Sequence, residues 1–314
     1  MIDSPFPRRR FLLIDNPASG YGSRRLVAGV LSALEAHGCG VERPQDGRLD
    51  SARAATLRAA DGRAFDAVIA AGGDGTIRLA AAALRGSDMA LGIVPLGTGN
   101  VLAHEVGLPR TPEGLAALLM HGAARPIEMG TANGEPFLLM AGVGFDGHVI
   151  GGLDQALKRR VGKVAYGLPV IGALARSSTR LAVEIDGIAY AADWAIIANA
   201  RCYGGAFVLS EQAGLEQPGF VAVLIQTATR RELVATLLAL ARGRLAARSN
   251  VRMLPCARAT IRAERPVPVQ IDGDAFATTP VEITHGGGQV RLILPAHIGT
   301  AIHETCRECP PPRA

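Results

Sequence analysis

Short, almost wholly apolar runs that end in clusters of small polar residues recur three times in the first 130 residues. Phe11–Ile14 runs into Asn16-Pro17-Ala18-Ser19-Gly20, Ala67–Ala71 into Gly72-Gly73-Asp74-Gly75-Thr76, and Ala90–Val94 into Pro95-Leu96-Gly97-Thr98-Gly99-Asn100. After each cluster the spacing turns helical: Leu26, Val30, Leu31 and Leu34 after the first, the alanine-rich Ile77–Leu84 after the second, Val101–Val106 after the third. Strands alternating with helices predict a mainly parallel sheet with helices on its faces. The three clusters then lie at the carboxyl ends of strands, the rim where open parallel sheets bind ligands.

The second half has a different rhythm. Pro136–Val143, Leu181–Ile185, Ile188–Ala200, Phe220–Thr227, Val267–Ile271, Val281–Thr284 and Val290–Leu294 read as strands, broken by Gly, Pro and Asp. Helical spacing interrupts them near Val161–Ala175 and Arg231–Arg242. A run of strands after a run of βα units predicts a separate β-rich domain. The expected division is an α/β domain over residues 1–130 and a β-rich domain over 131–290, with no internal repeat.

Composition narrows the class. A chain of 314 residues has room for two cores, and 48% hydrophobic residues with a net charge of +5 exclude a mainly disordered chain. No stretch has the length of a membrane span; the best, Val161–Ala175, is short and carries Lys163. No secretory leader is visible, because Arg8-Arg9-Arg10 precede only four apolar residues. The expectation is a soluble cytoplasmic protein. All the basic residues except Lys158 and Lys163 are arginine, which suits a phosphate or an anionic lipid. Aromatic residues make up only 4% and no nucleic-acid motif occurs, so no nucleic-acid partner is expected. Cys39, Cys202, Cys256, Cys306 and Cys309 are odd in number and scattered, not a disulfide framework. Cys306 and Cys309 have CxxC spacing without a second pair to complete a zinc site. The seven histidines form no metal or triad pattern.

The glycine clusters carry the candidate chemistry. Glycines let backbone N–H groups approach an anion, and the following helix adds its positive end. In the second cluster Thr76 is placed to cap the helix or to meet a phosphate oxygen, and Asp74 suits a bridging Mg²⁺ or a ribose hydroxyl. A ligand-free turn explains any one cluster equally well. Three on neighbouring strands point to a cradle for nucleotide phosphate, formed without a Walker lysine and without GxGxxG.

Asn16-Pro17-Ala18-Ser19-Gly20, GGDGT at 72–76 and PLGTGN at 95–100, in that order, resemble the bacterial diacylglycerol and lipid kinase family, to which sphingosine and ceramide kinases are more distantly related. Gly142-Val143-Gly144-Phe145-Asp146 and Val269-Gln270-Ile271-Asp272-Gly273-Asp274 resemble its later motifs. The resemblance implies an α/β domain like those of phosphofructokinase and NAD kinases, and a C-terminal β-sandwich. The segment after Val290, about 291–314, would rejoin the first domain. It further implies ATP and Mg²⁺ held by Asn16, Ser19, Gly20, Gly72, Gly73, Asp74, Gly75, Thr76, Gly97, Thr98 and Asn100. Asp74 and Asp272 would be catalytic, Asp272 as general base, with Asp146 near the acceptor and Glu128 at a structural metal. The acceptor would be a lipid alcohol such as diacylglycerol, met during transient association with the inner face of a membrane; a homodimer is one candidate assembly.

Two alternatives stay open: a kinase for a soluble acceptor such as NAD, and a nucleotide- or lipid-binding protein with weakened metal chemistry. The chain departs from the family pattern at Arg78, Leu79 and Val101, where Asn, Glu and Asp are usual, and at Glu128, where Asp is expected. Glu216-Gln217-Pro218-Gly219 stands where the family has an Asp-Asp-Gly segment. Ile-Asp-Gly-Asp is also a hairpin-turn pattern, and Val183-Glu184-Ile185-Asp186-Gly187 repeats nearly the same residues. Local sequence does not separate Asp272 from Asp186, and Asp146 is equally suited to capping a helix.

Overall fold

The computed structural model describes residues 7–15, 21–43, 64–152, 172–173, 179–227 and 229–296. Strands β1 (Arg10–Asp15), β2 (Gly40–Glu42), β3 (Ala67–Gly72) and β4 (Ala90–Pro95) lie in the order β2-β1-β3-β4, all parallel. Every residue of β3 is buried, which is why its sequence shows no polar alternation. Its register with β4 ends at Gly72 opposite Pro95, so two of the glycine-rich turns leave the sheet side by side.

Helices α1 (Tyr21–Ala36), α2 (Asp74–Leu84) and α3 (Val101–Val106) follow β1, β3 and β4. Gly73, not Thr76, is the N-cap of α2; a Cβ on Gly72 would lie 2.5 Å from the Thr76 side chain, which folds back over it. Helix α4 (Pro112–His121) follows α3. Thr111 starts it by accepting the Gly114 N–H, with Pro112 at its first position.

The remaining elements are β5 (Ala123–Ala132), β6 (Glu135–Phe137), β7 (Met140–Val143), α5 (Phe145–Gly151), β8 (Leu181–Ile185), β9 (Ile188–Ala192), β10 (Trp194–Ala198), β11 (Cys202–Tyr203), β12 (Phe207–Val208), β13 (Phe220–Ile225), α6 (Arg230–Ala241), β14 (Val251–Cys256), β15 (Arg258–Ala263), β16 (Pro268–Ile271), β17 (Asp274–Thr278) and β18 (Val281–Leu294). Six of them form an antiparallel sheet, β14-β13-β10-β7-β16-β17. The facing layer continues the first sheet. Strand β18 pairs in parallel with β4 through Arg291 and Leu292 and antiparallel with β5 and β15, and β15 leads on to β8 and β9. The chain is thus an N-terminal α/β domain with a parallel sheet and a C-terminal β-sandwich, joined through one strand.

Alternation in the sandwich sets two cores. Ala195, Ile197 and Leu224 meet Val183, Ile261 and Ile283 of the opposite layer. The intervening Trp194, Ile196, Val223 and Ile225 join the larger core that reaches the α/β half and Leu240 of α6. Several apolar runs divide differently from the sequence expectation. Pro136–Val143 breaks between β6 and β7 at Leu138-Leu139, Ile188–Ala200 breaks at Asp193, and the two last runs are one strand with a register shift between His285 and Gln289. The expected helix at 161–175 and the Cys306/Cys309 pair lie outside the described residues, apart from 172–173.

Candidate active site

The second and third glycine corners meet backbone to backbone. A Cβ on Gly97 would lie 2.7 Å from Gly73 Cα, and one on Gly73 would lie 3.3 Å from Gly97 Cα. Only glycine at both positions allows this approach. Asp74 then ties the corners together, its Oδ2 accepting the Val101 N–H at 3.0 Å and its Oδ1 the Leu102 N–H at 3.1 Å. The carboxylate of one corner therefore caps α3, the helix that leaves the other. No side chain caps α2, whose first turn forms the half-buried rim from Gly73 to Thr76. Asn100 is left-handed (φ 46°), and its buried Oδ1 has no hydrogen-bond partner. An unmet buried acceptor beside two glycine corners fits a ribose hydroxyl or a metal-bound water. Gly75, Thr76, Gly97 and Thr98 sit on this rim, whereas Asn16, Ser19 and Gly20 lie outside the described residues.

The late motif folds as a hairpin. Asp272 and Gly273 connect β16 to β17 with φ of 49° and 83°, as in a type I′ turn. The Asp272 carboxylate is buried and accepts three backbone N–H groups, from Leu138 at 2.7 Å, Leu139 at 2.8 Å and Met140 at 3.0 Å. That capture is why the 136–143 run cannot continue as one strand. Burial pushes this carboxyl up to about 6, against the pull of those three donors and of Arg78. Asp186 does the same work at its own corner (φ 49°), accepting the Ala257 and Arg258 N–H groups. Asn133 does so at a third (φ 46°), accepting the Glu282 N–H.

Two residues beyond, Asp274 points elsewhere. Its Oδ2 would lie 2.5 Å from a Cβ on Gly75, so the carboxylate rests directly on the GGDGT corner. Its side chain is 41% exposed and pairs with Arg78 Nη2 at 3.5 Å, while Arg78 Nη1 reaches Glu135 at 3.2 Å. Sequence reasoning passed over Asp274. The available signal was its place directly after the turn, where the strand's alternation releases a side chain from the corner.

Asp146 lies in the first turn of α5, which is capped by Gly144. It is buried and accepts the Tyr203 O–H and, at 2.8 Å, the Gln270 Nε2–H. A Cβ on Gly142 would lie 1.9 Å from Asp146 Oδ2, so the Gly142 in this motif makes room for the carboxylate. Gln270 Oε1 accepts the Gly273 N–H at 2.8 Å, linking Asp146 to the hairpin that carries Asp274. Burial pushes Asp146 up to about 6, opposed by its two hydrogen bonds.

Residues 10–132 match the diacylglycerol kinase catalytic domain family, and 140–294 match the YegS C-terminal NAD kinase beta sandwich-like domain. A Pseudomonas aeruginosa protein named "Probable lipid kinase YegS-like" is 34% identical over 74% of this chain and 78% of its own length. The chain belongs to the YegS-like lipid kinase family. A Mycobacterium tuberculosis protein named diacylglycerol kinase is 29% identical over 90% of this chain and 94% of its own. A solved diacylglycerol kinase structure from Bacillus anthracis shares the fold with a TM-score of 0.67 and 16% identity, covering 95% of this chain and 100% of that one.

This YegS-like chain handles its acidic substitutions in its own way. Among the described residues, no three His, Cys, Asp or Glu side chains converge to hold a metal. Glu128 Oε1 accepts the Gly288 N–H at 3.2 Å, and Glu216 pairs with Arg125 at 2.8 Å. Both carboxylates engage protein groups in this structure. Cys202 and Cys256 are buried free thiols pushed up to about 12, mainly by burial, which disfavours the thiolate form.

Proposed function

We propose that this protein transfers the γ-phosphate of ATP to the hydroxyl of diacylglycerol or a related lipid alcohol, with Asp274 rather than Asp272 as the general base. The observation that carries this is the Asp274 carboxylate seated on Gly75, at the rim where the two glycine corners touch. Asp272, engaged by three N–H groups in a buried pocket, shapes the hairpin that presents Asp274. Family membership supports kinase chemistry on a lipid, and the names of the relatives support diacylglycerol as the acceptor.

In this reading the amides of the Gly73–Thr76 corner and the Gly97–Asn100 loop hold the phosphates. Asp274 takes the acceptor's proton while its oxygen bonds to the γ-phosphorus and the bond to the ADP oxygen breaks, the electron pair leaving with ADP. Arg78 orients Asp274 by pairing with it from α2. Asp74, the carboxylate on the corner itself, would hold a magnesium ion together with the nucleotide phosphates, whose charge the ion would neutralise. Asp146, through Gln270, keeps the hairpin in register with the acceptor side.

The test is ADP release and phosphorus transfer in the presence of Mg²⁺, with dioctanoylglycerol and with NAD as rival acceptors. Transfer to the lipid and none to NAD is the expected result. Transfer to NAD alone would overturn the acceptor, and nucleotide binding without turnover on either would leave a binding protein.

A further inference from the structure

Helix α6 is apolar on more of its circumference than its burial uses. Leu233, Thr236, Leu237 and Leu240 pack inward, and a capping box of Thr229 and Glu232 fixes its start. A helix apolar nearly all round is normally covered all round, yet Val234 is 42% and Leu238 47% exposed. With about 100° per residue, Arg230, Arg231, Val234, Leu238, Ala241 and Arg242 fall within one arc of roughly 120°, and all six are exposed. The outward face is an apolar stripe with arginines at both ends. Phe207, 46% exposed, extends it from β12, which packs beside α6.

Charge is concentrated at the same place. Residues 229–252 hold six arginines and one glutamate, a net charge of +5 that equals the net charge of the whole chain. The rest of the molecule is neutral in sum. Exposed aliphatic and aromatic side chains bracketed by arginine complement a surface that is negative outside and hydrocarbon just beneath.

We propose that the outer face of α6, extended by Phe207, docks this protein on an anionic phospholipid bilayer; the proposal deepens the lipid-acceptor reading and rests on it for its purpose. The hairpin of β11 and β12 joins that face to the site. Phe207 is on its second strand, and on the first Tyr203 donates to Asp146 while the Cys202 N–H is accepted by Glu105 of α3 at 2.7 Å. Docking there would bring a bilayer beside Asp146 and the hairpin that carries Asp274.

Flotation of the full chain with vesicles tests this, using phosphatidylcholine alone or with about 30% phosphatidylglycerol to supply the negative surface. The wild type is expected to float with the anionic vesicles in about 0.1 M salt and to be released near 1 M, where the Debye length falls from about 10 Å to about 3 Å. V234D/L238D is expected to weaken binding at least about tenfold. R231S/R242S should weaken it and flatten the salt dependence. Ile188→Asp, at an exposed apolar residue elsewhere, should bind like the wild type.

A wild type that ignores anionic vesicles, or a V234D/L238D variant that floats unchanged, overturns the proposal. A wild-type dimer that V234D/L238D dissociates, with no vesicle binding, also overturns it and assigns the face to a second copy. Phosphorylation of dissolved short-chain diacylglycerol should be unaffected by V234D/L238D, while phosphorylation of vesicle-borne lipid falls. Binding without phosphorylation of either form defeats the lipid-acceptor reading and leaves docking standing. Phosphorylation of the dissolved form by a wild type that does not float does the reverse.

Discussion

Two positions separate Asp272 from Asp274, and the turn between them sends one carboxylate into the protein and the other to the rim. Asp274→Asn is expected to lower kcat by about 10²–10⁴ while the thermal midpoint stays at the wild-type value, measured by lipid phosphorylation and by melting. Asp272→Ala leaves three buried N–H groups without an acceptor and should cost about 3 kcal/mol or more in urea denaturation. Asp146 and Asp272 also set a pH dependence. Both carboxyls are raised to about 6 from 3.8, mainly by burial, so the fold favours their neutral forms. Their contribution to stability is fully present below about pH 4 and is lost as pH rises through about 6. Denaturation midpoints across pH 4–7 should carry that decline, and Asp146→Asn, which cannot ionise, should remove its share.

At the scale of elements, the Asx-Gly corner recurs at 133–134, 186–187 and 272–273, each with its first side chain bonded to a neighbouring strand's backbone. The likeness between the Asp186 and Asp272 segments was legible in the sequence, and both fold as the same hairpin corner with the carboxylate on backbone N–H groups. Three of the four parallel strands, β1, β3 and β4, were legible too, because burial leaves unbroken apolar runs such as Ala67–Ala71; the short, largely exposed β2 was not. β14 and β15 were not: Val251–Cys256 includes Arg252 and Pro255, and Arg258–Ala263 includes two arginines, so neither gives a clean two-residue alternation. The glycine corners make an element-level prediction. Gly97→Ala would force the third corner away from Gly73 by several tenths of an ångström. Nucleotide titration should show affinity falling about tenfold or more, as misplaced binding groups lose their geometry.

On the scale of the whole molecule, β18 makes the two halves share one sheet, since residues of a single strand pair with β4 of the α/β half and β15 of the sandwich. Trp194, the only tryptophan, is buried in the core that both halves share. Urea unfolding followed by its fluorescence should therefore coincide with far-UV circular dichroism in one transition; two separated transitions would mean that the halves unfold independently. Among the described residues no helix is long and apolar enough to cross a membrane. The sequence by itself determined the βα rhythm, the glycine corners, the strand-rich second half and the excess of arginine, because each follows from neighbouring residues and the periods of helix and strand. Only the tertiary structure decided which aspartate reaches the rim, that Glu128 and Glu216 engage protein groups, and that the helix within the arginine-rich stretch leaves an apolar face exposed. Those outcomes depend on which distant segments meet, Asp272 with Leu138–Met140 and Asp274 with Gly75, and local periodicity carries no record of such meetings.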